Sequence, residues 1–171
     1  MAEHAERGIL ATSILDVARR ADVAVGTVYR HFPTLEELVA ACGALSFEML
    51  PLPSPEEVVA RFHGARSRGE RVERLVDAVA GVYAPAAIAF LRVREARDEL
   101  RPAAEGHAVL EGAIDSLVDE ALRPLDTSAQ QAAAVRSLLD ARFWMTLLDR
   151  GLDGAAAHAT LVTLVGAALR R

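Results

Sequence analysis

The sequence has little of what supports disulfides, aromatic stacking or charge-driven binding of polyanions. It contains one cysteine, Cys42, so no disulfide framework can form, and we expect a reduced, cytoplasmic setting. Aromatic residues make up only 5% of the 171 residues, and the formal net charge is −5. An acidic chain does not bind nucleic acid through its overall charge, so any DNA binding has to come from a local patch.

Long apolar runs and catalytic motifs are also lacking. We find no apolar run near the ~18 residues that span a membrane, and expect no membrane association. No two of the five histidines are four residues apart, and none lies near a carboxylate cluster at metal-ligand spacing. A Gly-rich phosphate loop and a G-x-S-x-G motif are absent as well. We therefore expect no enzyme, no catalytic residue, no cofactor and no metal.

The apolar residues that are present favour an all-α fold. They make up 52% of the chain, they are mostly alanine and leucine, and the valines recur at helical spacing rather than at alternate positions. Besides the end of a first helix before Gly8 and a helix-turn-helix, the pattern and the capping residues predict seven helices. These run from Thr34 to about Leu50, from Ser54 to Phe62, from Val72 to Pro85, from Ile88 to Val93, from Pro102 to Pro124, and from Thr127 or Ser128 to about Arg150, with a further one through Leu161 and Leu169.

Residues 12–38 carry the sequence motif that indicates a function. Ile14, Val17 and Ala18 share one face of a short helix that Thr12 or Ser13 can cap. The pattern breaks at residues 21–24, and a second run follows in which Val28 and Phe32 share a face. Pro33 ends that run, and Thr34 with Glu37 forms a capping box for the next helix. This is a helix-turn-helix, whose second helix leaves the face with Val25, Gly26, Thr27, Tyr29 and Arg30 free to enter a major groove.

The chain resembles the TetR-type transcriptional regulators. The resemblance rests on these residues at the spacing of the family: Gly8, Thr12, Ser13, Ile14, Val17, Val23, Ala24, Gly26, Val28, Tyr29, His31, Phe32, Thr34 and Leu38. It implies a two-fold homodimer that binds double-stranded DNA at a pseudo-palindromic operator, with recognition helices about 34 Å apart. The DNA-binding residues that it implies are Thr12, Ser13, Val25, Gly26, Thr27, Tyr29, Arg30 and His31.

The same resemblance implies a division into a DNA-binding domain (1–45) and a helical ligand-binding and dimerisation domain (46–171). The candidates for a ligand cavity are Phe47, Phe62, Tyr83, Phe90 and His107. The candidates for a dimer interface are Leu139, Phe143, Leu147, Leu161 and Val165. Because the apolar faces carry few polar residues, we expect a small apolar effector that releases a repressor from its operator.

Several departures from the family support an alternative function. Leu35 stands where most members have a phosphate-binding lysine, and Val25 stands where many have lysine or arginine. Residues 1–45 contain four arginines, no lysine and six acids, a charge of −2. Only seven residues precede Gly8, so either the start at Met1 is misplaced or the first helix is shortened. The alternative is a dimeric helical small-molecule-binding protein that has lost DNA binding.

Overall fold

A computed structural model of the chain describes residues 2–170. These residues are helical with connecting turns, and no strand occurs among them, which confirms the all-α prediction. They divide into two compact units: the chain up to Leu50 together with Ile88–Leu110, and Pro51–Ala87 together with the chain from Glu111 onward. Met1, on which the question of the start codon depends, lies outside the described residues. The functional boundary after residue 45 stays a prediction.

The first unit is built on four N-terminal helices. They are α1 (Ala2–Arg7), α2 (Ile14–Arg20), α3 (Val25–His31) and α4 (Leu35–Met49), joined by the end of α6 (Arg68–Ala96) and the start of α7 (Arg101–Leu122). Its core consists of two clusters of buried residues: Ile14, Ala18, Val28 and Leu38 in one, and Ile9, Val39, Ala96 and Ala103 in the other. Leu35 packs against both clusters, so it joins the helix-turn-helix to the rest of the unit.

The second unit contains α5 (Pro55–Phe62), α8 (Ala129–Leu138), α9 (Ala141–Asp149), α10 (Gly154–Ala168) and the remaining parts of α6 and α7. Arg71 lies buried within it. Its Nε donates to the carbonyl of Ala121 at 2.8 Å, Nη2 donates to the carbonyl of Glu120, and its guanidinium lies 5.2 Å from the centroid of the Phe62 ring. One side chain therefore links α5, α6 and α7.

The residues predicted to cap helices do so at most sites. Ser54 and Ser128 each form a reciprocal capping box, with Glu57 and Gln131. At the start of α4, the Thr34 hydroxyl accepts the backbone N–H of Glu37 at 3.2 Å, which is the hydroxyl half of the predicted box. Each bond satisfies a backbone donor that a helix start leaves without a partner, and it thereby fixes where the helix begins.

The prediction of two helices separated by Pro85 is wrong, because α6 continues through this proline. Proline lacks the N–H that would bond to the carbonyl of Gly81 and costs about 3 kcal/mol in a helix interior. Gly81 is exposed, so its carbonyl can bind water instead. On either side, Val82, Tyr83 and Ala86 are 2–3% exposed, and burial of such side chains outweighs the cost.

The single helix predicted to run to Arg150 is also wrong. Helix α8 ends at Leu138 with Leu139 as its C-cap, and Asp140 has an extended backbone with φ −71° and ψ 139°. The Asp140 carboxylate accepts the backbone N–H of Arg142 at 2.8 Å and so begins α9 as a separate helix. Apolar residues at helical spacing continue across this break, which is why periodicity alone did not indicate it.

The expectation that no apolar stretch approaches the length of a membrane span needs correction at α6. An 18-residue stretch of it has a mean hydropathy of 1.5, so by length and composition it is long and apolar enough to cross a membrane. However, 44% of that stretch is buried inside the protein, and core helices of soluble proteins meet the same criterion. The stretch is therefore weak evidence for a membrane span.

Candidate DNA interface

The turn between α2 and α3 is fixed by backbone bonds. The N–H of Val23 donates to the carbonyl of Ala18 at 3.1 Å, and the N–H of Ala21 donates to Val17 at 2.9 Å. Asp22 between them has φ +54°, a left-handed conformation that aspartate tolerates better than most residues. This is a Schellman-type helix end, and it turns the chain sharply enough for α3 to cross α2.

The buried face of α3 agrees with the predicted one, with one correction. Val28 is 7% exposed and packs with Ile14, Ala18 and Leu38, and Phe32 packs against the same cluster. Val25, expected on the free face, is half-buried and also packs against this cluster. It lies one turn before Val28 on the helix, so part of its side chain reaches the core.

The outer surface of α3 is small, polar and accessible. Gly26, Arg30 and His31 are exposed, Thr27 is half-buried, and Tyr29 is 51% exposed. A Cβ added at Gly26 would meet nothing within 4 Å, so the backbone there is open to a close approach. The exposure of Tyr29 leaves its ring and hydroxyl available to another molecule.

Thr12 and Ser13 occupy very different environments. Thr12 is 1% exposed, and its hydroxyl donates to the carbonyl of Gly8 at 2.7 Å. Its burial argues against the predicted contact of this side chain with a phosphate, and it does not cap α2. Ser13 is exposed and caps α2 through a capping box with Asp16, which includes a 2.6 Å bond from its hydroxyl to the carboxylate.

Most of the positive charge of the DNA-binding head, residues 1–45, is neutralised by carboxylates of the same segment. Arg7 and Arg19 lie 3.1 and 3.6 Å from the Asp16 carboxylate, and Arg20 forms two bonds with Glu6 at 2.8 and 2.9 Å. Hydrogen bonds from Ser13 and the nearby Arg7 hold the pKa of Asp16 at about 2, so this carboxylate is charged at neutral pH. Of the four arginines in this segment, Arg30 alone makes no ion pair with another side chain that the structure describes.

This ion-pair network was missed at the sequence level, although the sequence carries one signal for it. Ser13 and Asp16 match the [ST]-x-x-[DE] pattern of a capping box. The pairing of Arg20 with Glu6 joins residues 14 positions apart, and no local pattern indicates it.

The packing of Leu35 against two apolar clusters explains why an aliphatic residue stands where the family has lysine.

The candidate ligand residues are not brought together in one compact unit. Phe62 and Tyr83 belong to the second unit, whereas Phe47, Phe90 and His107 belong to the first. Phe62, Tyr83 and Phe90 are 2–3% exposed, as core residues are. The Tyr83 hydroxyl donates to the carbonyl of Leu139 at 2.7 Å, and burial raises the pKa of this phenol. His107 Nε2 lies 3.2 Å from Nη1 of Arg97.

The candidate dimer residues also divide into two groups. Leu139, Leu161 and Val165 are at most 1% exposed within a single chain, so they leave little surface for a partner, and their place in a dimer interface stays a prediction. They fill the core because α8, α9 and α10 pack on one another. Phe143 and Leu147 on α9 are half-buried and keep apolar surface for a partner. No group of three or more potential metal ligands occurs among the described residues.

Comparison with known proteins identifies the N-terminal part of the chain. Residues 1–42 match the family model of the bacterial regulatory proteins of the tetR family. A search of the curated proteins finds no match. The matched residues contain the helix-turn-helix, its capping box and the first half of α4. Together with the accessible face of α3, this match shows that residues 1–42 are similar to the DNA-binding domain of the bacterial tetR-family regulators.

Proposed function

We propose that the chain is a dimeric, ligand-responsive transcriptional repressor in the cytoplasm, which binds a pseudo-palindromic operator and is released by a small apolar effector. The observation that carries the proposal is the outer face of α3. Gly26, Tyr29, Arg30 and His31 are all exposed there, while Val28 fixes the helix on its scaffold. A recognition helix needs this combination of a buried anchor and an accessible polar face.

Each exposed residue has a contact that suits its chemistry. Tyr29 and His31 donate to backbone phosphates, which position the protein on the duplex, and Arg30 adds a charged contact. Gly26 and Thr27 approach base edges, with the exposed part of Val25 against a thymine methyl group. The Ser13 hydroxyl reaches a phosphate only if its hydrogen bond to the Asp16 carboxylate breaks. The Thr12 hydroxyl bonds to the Gly8 carbonyl, so this residue stabilises the turn and does not contact DNA.

The charges of the head set the expected strength of binding. With Arg7, Arg19 and Arg20 paired to carboxylates, Arg30 is the arginine whose charge is fully available to phosphates. A dimer doubles each contact. We therefore expect modest affinity, and a loss of affinity with salt that reflects few neutralised phosphates in each protomer.

Dimerisation and effector response follow from the apolar surface of α9 and from the family of the matched domain. Phe143 and Leu147 offer apolar surface on α9, and the family to which the matched domain belongs is one of regulators. An effector that binds one of two arrangements of the chain more tightly shifts the population toward it, and a few kcal/mol suffices. A helical binding protein that no longer uses DNA is the second candidate, favoured by the acids that neutralise the head.

Fluorescence anisotropy with duplex DNA from upstream of the gene separates the two candidates. The regulator predicts tight, competitor-resistant binding that weakens with salt and falls at least about tenfold in Tyr29→Ala, since that variant removes a phosphate contact. Val109→Ala is the matched control, because Val109 is 53% exposed but does not belong to the helix-turn-helix. Equal loss in both variants, or no binding above the non-specific level, contradicts the regulator.

A further inference from the structure

Helix α5 exposes a second apolar face opposite the one that it buries. Val58 and Phe62 are 4% and 2% exposed and point into the second unit, whereas Val59 is 53% exposed. The outer side borders a groove of about 660 Å³, and the described residues that line it are Pro55, Glu56, Val59, Ala60 and His63.

The helix is fixed at both ends, so this face is preformed. Ser54 and Glu57 close a capping box at its start. At its end, Nη1 of Arg74 donates to the carbonyls of Arg61 and His63 at 3.0 and 2.8 Å. A surface held in this way loses little conformational entropy when it binds.

The charges along the face are arranged so that the face complements itself. Glu56 lies at its start and His63 at its end, with Arg66 and Arg68 three and five residues further on, and none of these four forms an ion pair with another described side chain. Val59 lies midway between Glu56 and His63. If two copies of α5 pack antiparallel about a two-fold axis near Val59, each Glu56 meets the His63 end of the other copy.

We propose that this α5 face is an interface between two copies of the chain, formed by antiparallel packing of α5 on α5. A two-fold interface requires such a self-complementary surface. Other occupants fit less well: a nucleic acid would set phosphates against Glu56 and Val59, and an acidic peptide would be repelled by Glu56. The proposal does not depend on DNA binding.

The size of the surface sets the expected strength. Eight helical residues extend about 12 Å, and two such helices bury far less than the ~1,000 Å² typical of a stable interface. We therefore expect this contact to be weak and to form at high protein concentration, or between copies that another interface already holds close together.

Site-specific cross-linking tests the contact. In a Cys42→Ser background, Val59→Cys places two thiols near the two-fold axis, and a short bismaleimide should join two copies. Val109→Cys is the matched control, because both valines are 53% exposed. We expect the Val59→Cys chain to cross-link at least tenfold faster than the control at equal concentration. Equal rates would overturn the proposal.

A charge exchange checks the orientation. Adding Glu56→Arg to the Val59→Cys chain places like charges at each end of the interface and should slow cross-linking at least threefold. Adding His63→Glu as well exchanges the two ends and should restore the rate. Circular dichroism confirms that each variant keeps its helices. Failure of the exchange to restore the rate would contradict antiparallel packing.

Discussion

The hydroxyl of Ser13 donates to the carboxylate of Asp16 at 2.6 Å, and the oxygen of the same hydroxyl accepts the backbone N–H of Asp16 at 3.1 Å. The two residues thus hold each other at the start of α2, directly before the recognition element. Arg7 and Arg19 approach the same carboxylate. Asp16 therefore connects the cap of α2 with the charge balance of the DNA-binding head.

The first prediction concerns pH. The pKa of Asp16 is lowered to about 2 in the folded chain from the ordinary 3.8. A lowered pKa means that the carboxylate stabilises the fold above about pH 4, and that this contribution disappears as the pH falls toward 2. Urea unfolding between pH 5 and pH 2 should show this loss. It should be smaller in Asp16→Asn than in the native chain, whereas the matched variant Asp22→Asn should retain it.

The second prediction concerns the turn. Asp22 has φ +54°, where a residue with a Cβ is strained and glycine is not. Asp22→Gly should therefore stabilise the chain by up to about 1 kcal/mol, and Asp22→Val should destabilise it by about 1–2 kcal/mol. Urea midpoints measure both changes. If the valine variant were as stable as the glycine variant, the left-handed turn would be wrong.

The third prediction concerns Arg71. Removing its side chain leaves the buried carbonyls of Ala121 and Glu120 without this donor, at about 1–3 kcal/mol each. Arg71→Ala should therefore lower the free energy of unfolding by at least about 2 kcal/mol. Arg74→Ala is the control, because Arg74 also binds two carbonyls but at an exposed site. A smaller effect for Arg71 than for Arg74 would contradict the described packing.

The fourth prediction concerns Leu35. Leu35→Lys restores the residue that most family members have, and its stem can still lie along the apolar clusters while the amine reaches solvent. We expect a loss of about 1 kcal/mol in stability, because part of the apolar contact disappears. DNA binding should become tighter at low salt, with a salt slope steeper by about one for each protomer. An unchanged slope would show that residue 35 does not face a phosphate.

The helix-turn-helix was predictable because its signals are local. The spacing of Ile14, Ala18 and Val28 indicates two packed helices, and Ser13 and Thr34 mark helix starts. The surface of the helix-turn-helix was harder to predict, because the burial of Thr12 depends on the conformation of the turn at Gly8. A sequence pattern shows which residue types are available there, and tertiary contacts decide which of them reach solvent.

The helices after residue 45 were harder to predict, because their tertiary contacts also decide where they end and which side chains are buried. Pro85 usually ends a helix, and only the burial of its neighbours on α6 keeps that helix continuous. Asp140 was a usable signal, because aspartate favours the start of a helix, but the apolar pattern across it hid the break. Leu139, Leu161 and Val165 have the same apolar character whether they fill a core or face a partner.

Selection from a random pool of duplex DNA tests the central claim most directly. The purified chain is incubated with the pool at physiological salt, and bound sequences are recovered and sequenced over several rounds. The account predicts enrichment of one pseudo-palindromic site with half-sites about 10 base pairs apart, and loss of that enrichment in Tyr29→Ala. A folded chain that enriches no sequence, or the same sequences with and without Tyr29, would contradict it.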